Sequence, residues 1–138
     1  MLDKETQQKI ASCKALSGKT VEELIATERF RNNLAAYMKA QREDRKQIRA
    51  SYEAMRKAGG VKGYKLPAHP IDRVIDLSVD DFAAEYMSVI AKMSKRPHAE
   101  RRYIQQLGQQ AYNLTVAQIV VEEYPELESV LIPKAKAN

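Results

Sequence analysis

ERFRNNLAAYMKAQREDRKQIRASYEAMRKA, residues 28–58, is the stretch whose reading decides the fold. Its apolar residues fall at Phe30, Leu34, Tyr37 and Met38, then at Ile48, Tyr52 and Met55. Steps of three and four residues line up along one side of a helix with 3.6 residues per turn. Between the two groups lies KAQREDRKQ, 39–47, which is polar on every face. A helix that is polar all round is solvent-bridging, ion-paired or bound to something. The expectation is one long helix over about 28–58 with that polar stretch at its middle.

Upstream, residues 3–16 read as a short helix with Ile10, Cys13 and Leu16 on one side. Gly18 comes next as a residue able to take the left-handed backbone that closes a helix. Thr20-Val21-Glu22-Glu23 is a capping box. Phe30 is out of phase with Val21, Leu24 and Ile25, which predicts a bend near Ala26–Thr27. Downstream, AGGVKGYKLPAHP (58–70) holds three Gly and two Pro, ends the long helix and marks the best boundary in the chain. Residues 71–77 suit a helical turn or a short strand near Val74. Ser78 is a strong N-cap, with Leu77 and Phe82 placed as a hydrophobic staple. A helix should run from there to about Ser94 on Val79, Phe82, Ala83, Tyr86, Met87, Ile90 and Met93. Pro97 opens another helix, whose inner face is Tyr103, Ile104, Leu107, Ala111 and Leu114. Thr115 to Gln118 is a further capping box, and with Leu114 and Ile119 as a staple it predicts a sharp corner before the last helix. Tyr124-Pro125 ends that helix, with one more turn over 125–131.

The fold class implied is all-α: an irregular bundle of about five helices. The organisation expected along the chain is a basic helical arm (1–58), a Gly/Lys/Pro loop (59–70) and a compact helical part (71–138), or one domain overall. At 138 residues the chain is long enough for a core without disulfides. With no Trp, two Phe and seven Tyr, that core must be aliphatic with Tyr at its margins.

Cys13 is the single cysteine, which fits a reducing, cytoplasmic setting. MLDKETQQK offers no apolar signal region and no run approaches a membrane span. Motifs for catalysis fail on inspection. Ser17-Gly18-Lys19-Thr20 ends like a phosphate-binding loop, but Cys13 stands where the first Gly is required. His98 and Glu100 match half of a zinc-deaminase signature whose paired cysteines are missing. His69 and His98 stand apart, so no metal and no cofactor are expected. The acid pairs Glu22/Glu23, Asp80/Asp81 and Glu122/Glu123 lie in or near helix ends, where the first two favour the dipole. Residues 101–122 have the outline of a helix-turn-helix, but VAQIVVEEY would repel phosphates. The chain reads as a binding protein, not an enzyme.

Charge carries the functional reading. The net charge is +5, laid out in blocks: basic through 1–70, acidic over 71–91, basic again over 92–102. Arg42, Arg45, Lys46, Arg49, Arg56 and Lys57 lie on the long helix, and Lys62 and Lys65 on the loop. Lys92, Lys95, Arg96, Arg101 and Arg102 make a second cluster. Tyr52, Tyr64 and Tyr103 are interleaved with them, and Gly60-Val61-Lys62-Gly63 has the spacing of a backbone-clamping GxxG loop. Cations with stacking rings suit DNA or RNA held through phosphates. The competing expectation is a structural adaptor of a larger assembly, of the sort phages and mobile elements carry. In that reading Phe30, Leu34, Tyr37 and Met38 face a protein partner or another copy, and the basic and acidic blocks pair between copies.

Overall fold

The structure is a computed structural model that describes residues 2–59 and 68–132. It is all-α: α1 (Lys4–Ala11), α2 (Val21–Ile25), α3 (Glu28–Gly59), α4 (Pro70–Ile75), α5 (Val79–Ile90), α6 (His98–Glu123), a 3-10 turn (Pro125–Leu127) and α7 (Glu128–Leu131). No strand occurs among the described residues, and the segment around Val74 is helical. The contact pattern separates two compact units, one of Met1–Asn33 with Gln109–Asn138, the other Leu34–Gly108. These limits differ from the expected arm, loop and C-terminal part.

In the first unit α1 stops at Ala11, short of the expected Leu16. The Ser12 hydroxyl donates to the Gln8 carbonyl at 2.8 Å, drawing the chain off the helical path. Leaving there carries Cys13 into a buried cluster with Val120 and Leu127, flanked by Ile10, Leu16, Val116 and Ile119. The Lys14 amide is then capped by both oxygens of Glu123, at 3.0 and 3.2 Å. Gly18 has φ +77°, the left-handed backbone expected of it, but in the turn leading to α2 rather than at the end of α1. The Thr20 hydroxyl accepts from the Glu23 amide at 3.1 Å, as the capping box requires. The bend at Ala26–Thr27 is present. Thr27 Oγ1 donates to the Leu24 carbonyl and accepts from the Phe30 amide, closing α2 and starting α3.

The second unit buries Leu34 and Met38 from α3, Ile71, Val74 and Ile75 from α4, Phe82, Ala83 and Tyr86 from α5, and Ile104 and Leu107 from α6. Ser78 caps α5 by accepting from the Asp81 amide at 3.1 Å. That helix ends at Ile90, before the expected Ser94, in a Schellman motif. The Met93 amide donates to the Ser88 carbonyl at 2.8 Å and the Lys92 amide to Val89 at 3.1 Å. Lys92 holds the left-handed position at φ +59°. Met93, expected on the inner face, is 75% exposed as a result.

The largest departure from expectation is α6, which runs unbroken from His98 to Glu123. The Arg101 amide bonds to the Pro97 carbonyl at 3.0 Å, so Pro97 is the cap itself. No corner forms at Thr115. Its buried hydroxyl donates backwards to the Ala111 carbonyl at 2.7 Å and accepts from the Asn33 amide group at 3.0 Å. A residue type that favours caps is thus satisfied inside a helix instead. Gly108 sits within α6 because Tyr86 lies against it: a Cβ built there would come within 2.3 Å of the Tyr86 ring.

Candidate nucleic-acid interface

The long helix does not present the bare positive surface expected of it. The α4 residue Asp72 accepts from Arg45 through both oxygens, Nε at 2.8 Å and Nη2 at 3.0 Å. This is the two-pronged geometry in which a guanidinium binds a carboxylate most strongly. Arg49 Nη2 reaches the same carboxylate at 3.1 Å. The hydrogen bond from Arg45 outweighs burial and holds the Asp72 pKa below its ordinary value. Arg42 donates to the Ile75 carbonyl at 2.8 Å, at the C-terminus of α4, and Arg56 pairs with Glu53 at 2.7 Å. Lys46 and Lys57 are exposed. Basic and acidic blocks therefore meet inside the chain, where Asp72 from the acidic stretch answers Arg45 and Arg49.

The adaptor surface is equally altered. Phe30, Leu34 and Met38 are fully buried, and Tyr37 is half-buried. Three of the four residues expected to face a partner are core. The apolar stripe beyond the polar middle is the part left open. Ile48 is 38% and Met55 61% exposed, beside Asp44, Gln47, Ser51 and Tyr52. After Met38 no residue of α3 is buried.

The stacking rings are also placed differently. Tyr103 lies 5.2 Å from the His69 ring, with its hydroxyl 3.3 Å from His69 Nε2. His69 Nδ1 accepts from the Ile71 amide and caps α4. Tyr64, Lys62, Lys65 and the GxxG sequence lie outside the described residues.

The second basic cluster divides. Arg96 points to Glu85 at 3.1 Å and to Glu100 at 2.9 Å. Burial works against its charge, but the carboxylates of Glu100, which accepts a hydrogen bond from it, and of Glu85 prevail and its pKa is raised. Glu100 is itself buried, so this ion pair keeps its carboxylate from acting on the surroundings. Lys92, Lys95, Arg101 and Arg102 have no carboxylate partner among the described residues. Three of them converge. Lys92, Arg101 and Arg102, with His98, Gln105, Val89 and Ile90, line an open cleft of about 790 Å³ formed by the end of α5 and the first turns of α6. No acidic side chain lines it. Arg101 Nε is buried without a hydrogen-bond partner, so the described residues supply no acceptor for that donor. A buried unpaired donor costs about 1–3 kcal/mol.

The turn that shapes the cleft is unusual. A non-glycine residue in the left-handed region costs about 1–2 kcal/mol, and glycine is the residue that commonly closes a Schellman turn. Lys92 takes that position instead and lines the cleft. The sequence pattern points to Lys92, Arg101 and Arg102 but not to His98, Gln105, Val89 and Ile90 as members of the same site. The only signal for those four is proximity in the chain to the basic cluster.

Among the described residues no group of three His, Cys, Asp or Glu side chains could hold a metal, and no helix is long and apolar enough to cross a membrane. Comparison with protein-family models, with curated proteins and with solved structures yields no match.

Proposed function

We propose that the chain is a nucleic-acid-binding protein that holds phosphates in the α5–α6 cleft, acting by binding rather than by catalysis. The observation that carries this reading is Lys92, kept in a costly left-handed conformation and converging with Arg101 and Arg102 on a cleft free of acids. A cleft lined by one sign of charge focuses its field, so fixed cations there attract anions more strongly than on open surface. With three cations per site, contacts are to phosphate and carry little sequence information.

Titration of a fluorescent oligonucleotide, read by anisotropy at two salt concentrations, tests the reading. Three phosphate contacts predict a slope of log K against log salt of about −2 for a single strand, or roughly a twentyfold loss between about 50 and 200 mM. Replacing Lys92, Arg101 and Arg102 together by Glu should abolish binding, while Lys46→Glu with Lys57→Glu should leave most of it. Binding indifferent to salt, or lost equally in both variants, would contradict the proposal.

A further inference from the structure

The lining of the cleft says more than its charge, provided that the cleft holds phosphate as proposed. Its cations are set in a concavity, beside groups that have no use for a phosphate. Val89 and Ile90 are half-buried aliphatic side chains. Gln105 is exposed and carries an amide that can both donate and accept. His98 adds a flat ring with two nitrogens. Apolar wall, amide and ring are what the edge and face of a base require.

We infer that the α5–α6 cleft accommodates one or two nucleotides of an unpaired strand, with phosphate on Lys92, Arg101 and Arg102 and a base against Val89 and Ile90 within reach of Gln105. The volume of about 790 Å³ lies within the range of sites that enclose small ligands, roughly 300–1,000 Å³. A base can enter such a space only when it is unstacked and unpaired, as in single strands and loops. A duplex keeps its bases inside and offers the cleft only a ridge of phosphates. Its natural seat would have been the cationic face of α3, where Arg45 and Arg49 share Asp72 and Arg42 is spent on the Ile75 carbonyl. A single imidazole in the lining, rather than a row of aromatic rings, limits recognition to a short segment with little sequence preference.

The test is a set of titrations at low salt with the whole chain. The probes are a labelled eight-nucleotide single strand, in DNA and RNA forms, and a duplex of the same length. Unlabelled nucleoside monophosphate, inorganic phosphate and poly-glutamate serve as competitors. The single strand should bind at least about ten times more tightly than the duplex, and nucleoside monophosphate should displace it where inorganic phosphate at equal concentration does not. Gln105→Ala, a change at an exposed position, should weaken the single strand several-fold without altering the salt slope, because no phosphate contact is lost. Equal affinity for strand and duplex, or unchanged affinity in Gln105→Ala, would overturn the inference while leaving phosphate binding intact. Displacement by poly-glutamate as readily as by oligonucleotide would overturn it in favour of an acidic protein partner. No binding of either nucleic acid would remove the functional reading itself.

Discussion

At the scale of single residues, Lys92 sets a backbone cost against the role proposed for it in the cleft. Its left-handed backbone costs about 1–2 kcal/mol relative to a relaxed geometry, and Gly would remove that cost. Lys92→Gly should therefore raise stability by about 1 kcal/mol in denaturant melts while weakening oligonucleotide affinity. A loss of stability in that variant would contradict the turn geometry, and unchanged affinity would contradict its role in the cleft. Gly108 makes the opposite case. Helix propensity favours Ala over Gly by about 1 kcal/mol. Here the added methyl would meet the buried Tyr86 ring at 2.3 Å, and overpacking of this sort costs about 1–3 kcal/mol. Gly108→Ala should be destabilising on balance, and a more stable variant would show that the ring is not held there. Of these two positions neither was legible from the chain. Gly18 could be read because glycine permits positive φ. Nothing in a lysine announces that it will adopt one, and nothing around Gly108 announces a ring arriving from another helix.

At the scale of elements, α3 changes character along its length. It is buried at Phe30, Leu34 and Met38 and carries nothing buried beyond. Isolated helix is marginal in water, so most helical stability comes from a packed face. Amide hydrogen exchange should be slow over residues 30–38 and fast over 50–59; uniform protection would mean that the distal half is covered. Arg45 and Arg49 tie the middle of α3 to Asp72 on α4. Hydrogen bonds to charged groups contribute about 1.5–3 kcal/mol, so Asp72→Asn should cost an amount in that range near neutral pH. The sign with pH comes from the lowered Asp72 pKa. The folded state holds this proton less tightly than the unfolded one. Its contribution is present above the ordinary carboxylate value and is lost as pH falls through the folded value. The stability gap between wild type and Asp72→Asn should narrow below about pH 4; a constant gap would exclude the ion pair as its source. The long helix itself was legible because its apolar spacing persists on both sides of the polar middle. The continuity of α6 was not. Thr115, Leu114 and Ile119 imitate a helix start locally, and only the buried bond from Thr115 to Ala111, supported by Asn33, reveals the helix passing through.

At the scale of the whole molecule, the all-α class was legible in the patterning, while the disposition of charge was not. Counting cations by segment places the heavier cluster on the long helix. Folding reverses that ranking, because a carboxylate distant in the chain is brought to the arginines. The lighter cluster keeps Lys92, Arg101 and Arg102 available by spending Arg96 on Glu85 and Glu100. The acidic block was visible in the sequence, but which arginines it would quench depends on tertiary contacts that no spacing rule encodes. Location is therefore the decisive point: the proposal places phosphate in the cleft and not along the cationic length of α3. Chemical-shift mapping of backbone amides during titration with a short single strand measures this directly. Perturbations should cluster at residues 89–105. Perturbations concentrated instead on residues 39–57, with the cleft amides unmoved, would contradict binding in the cleft.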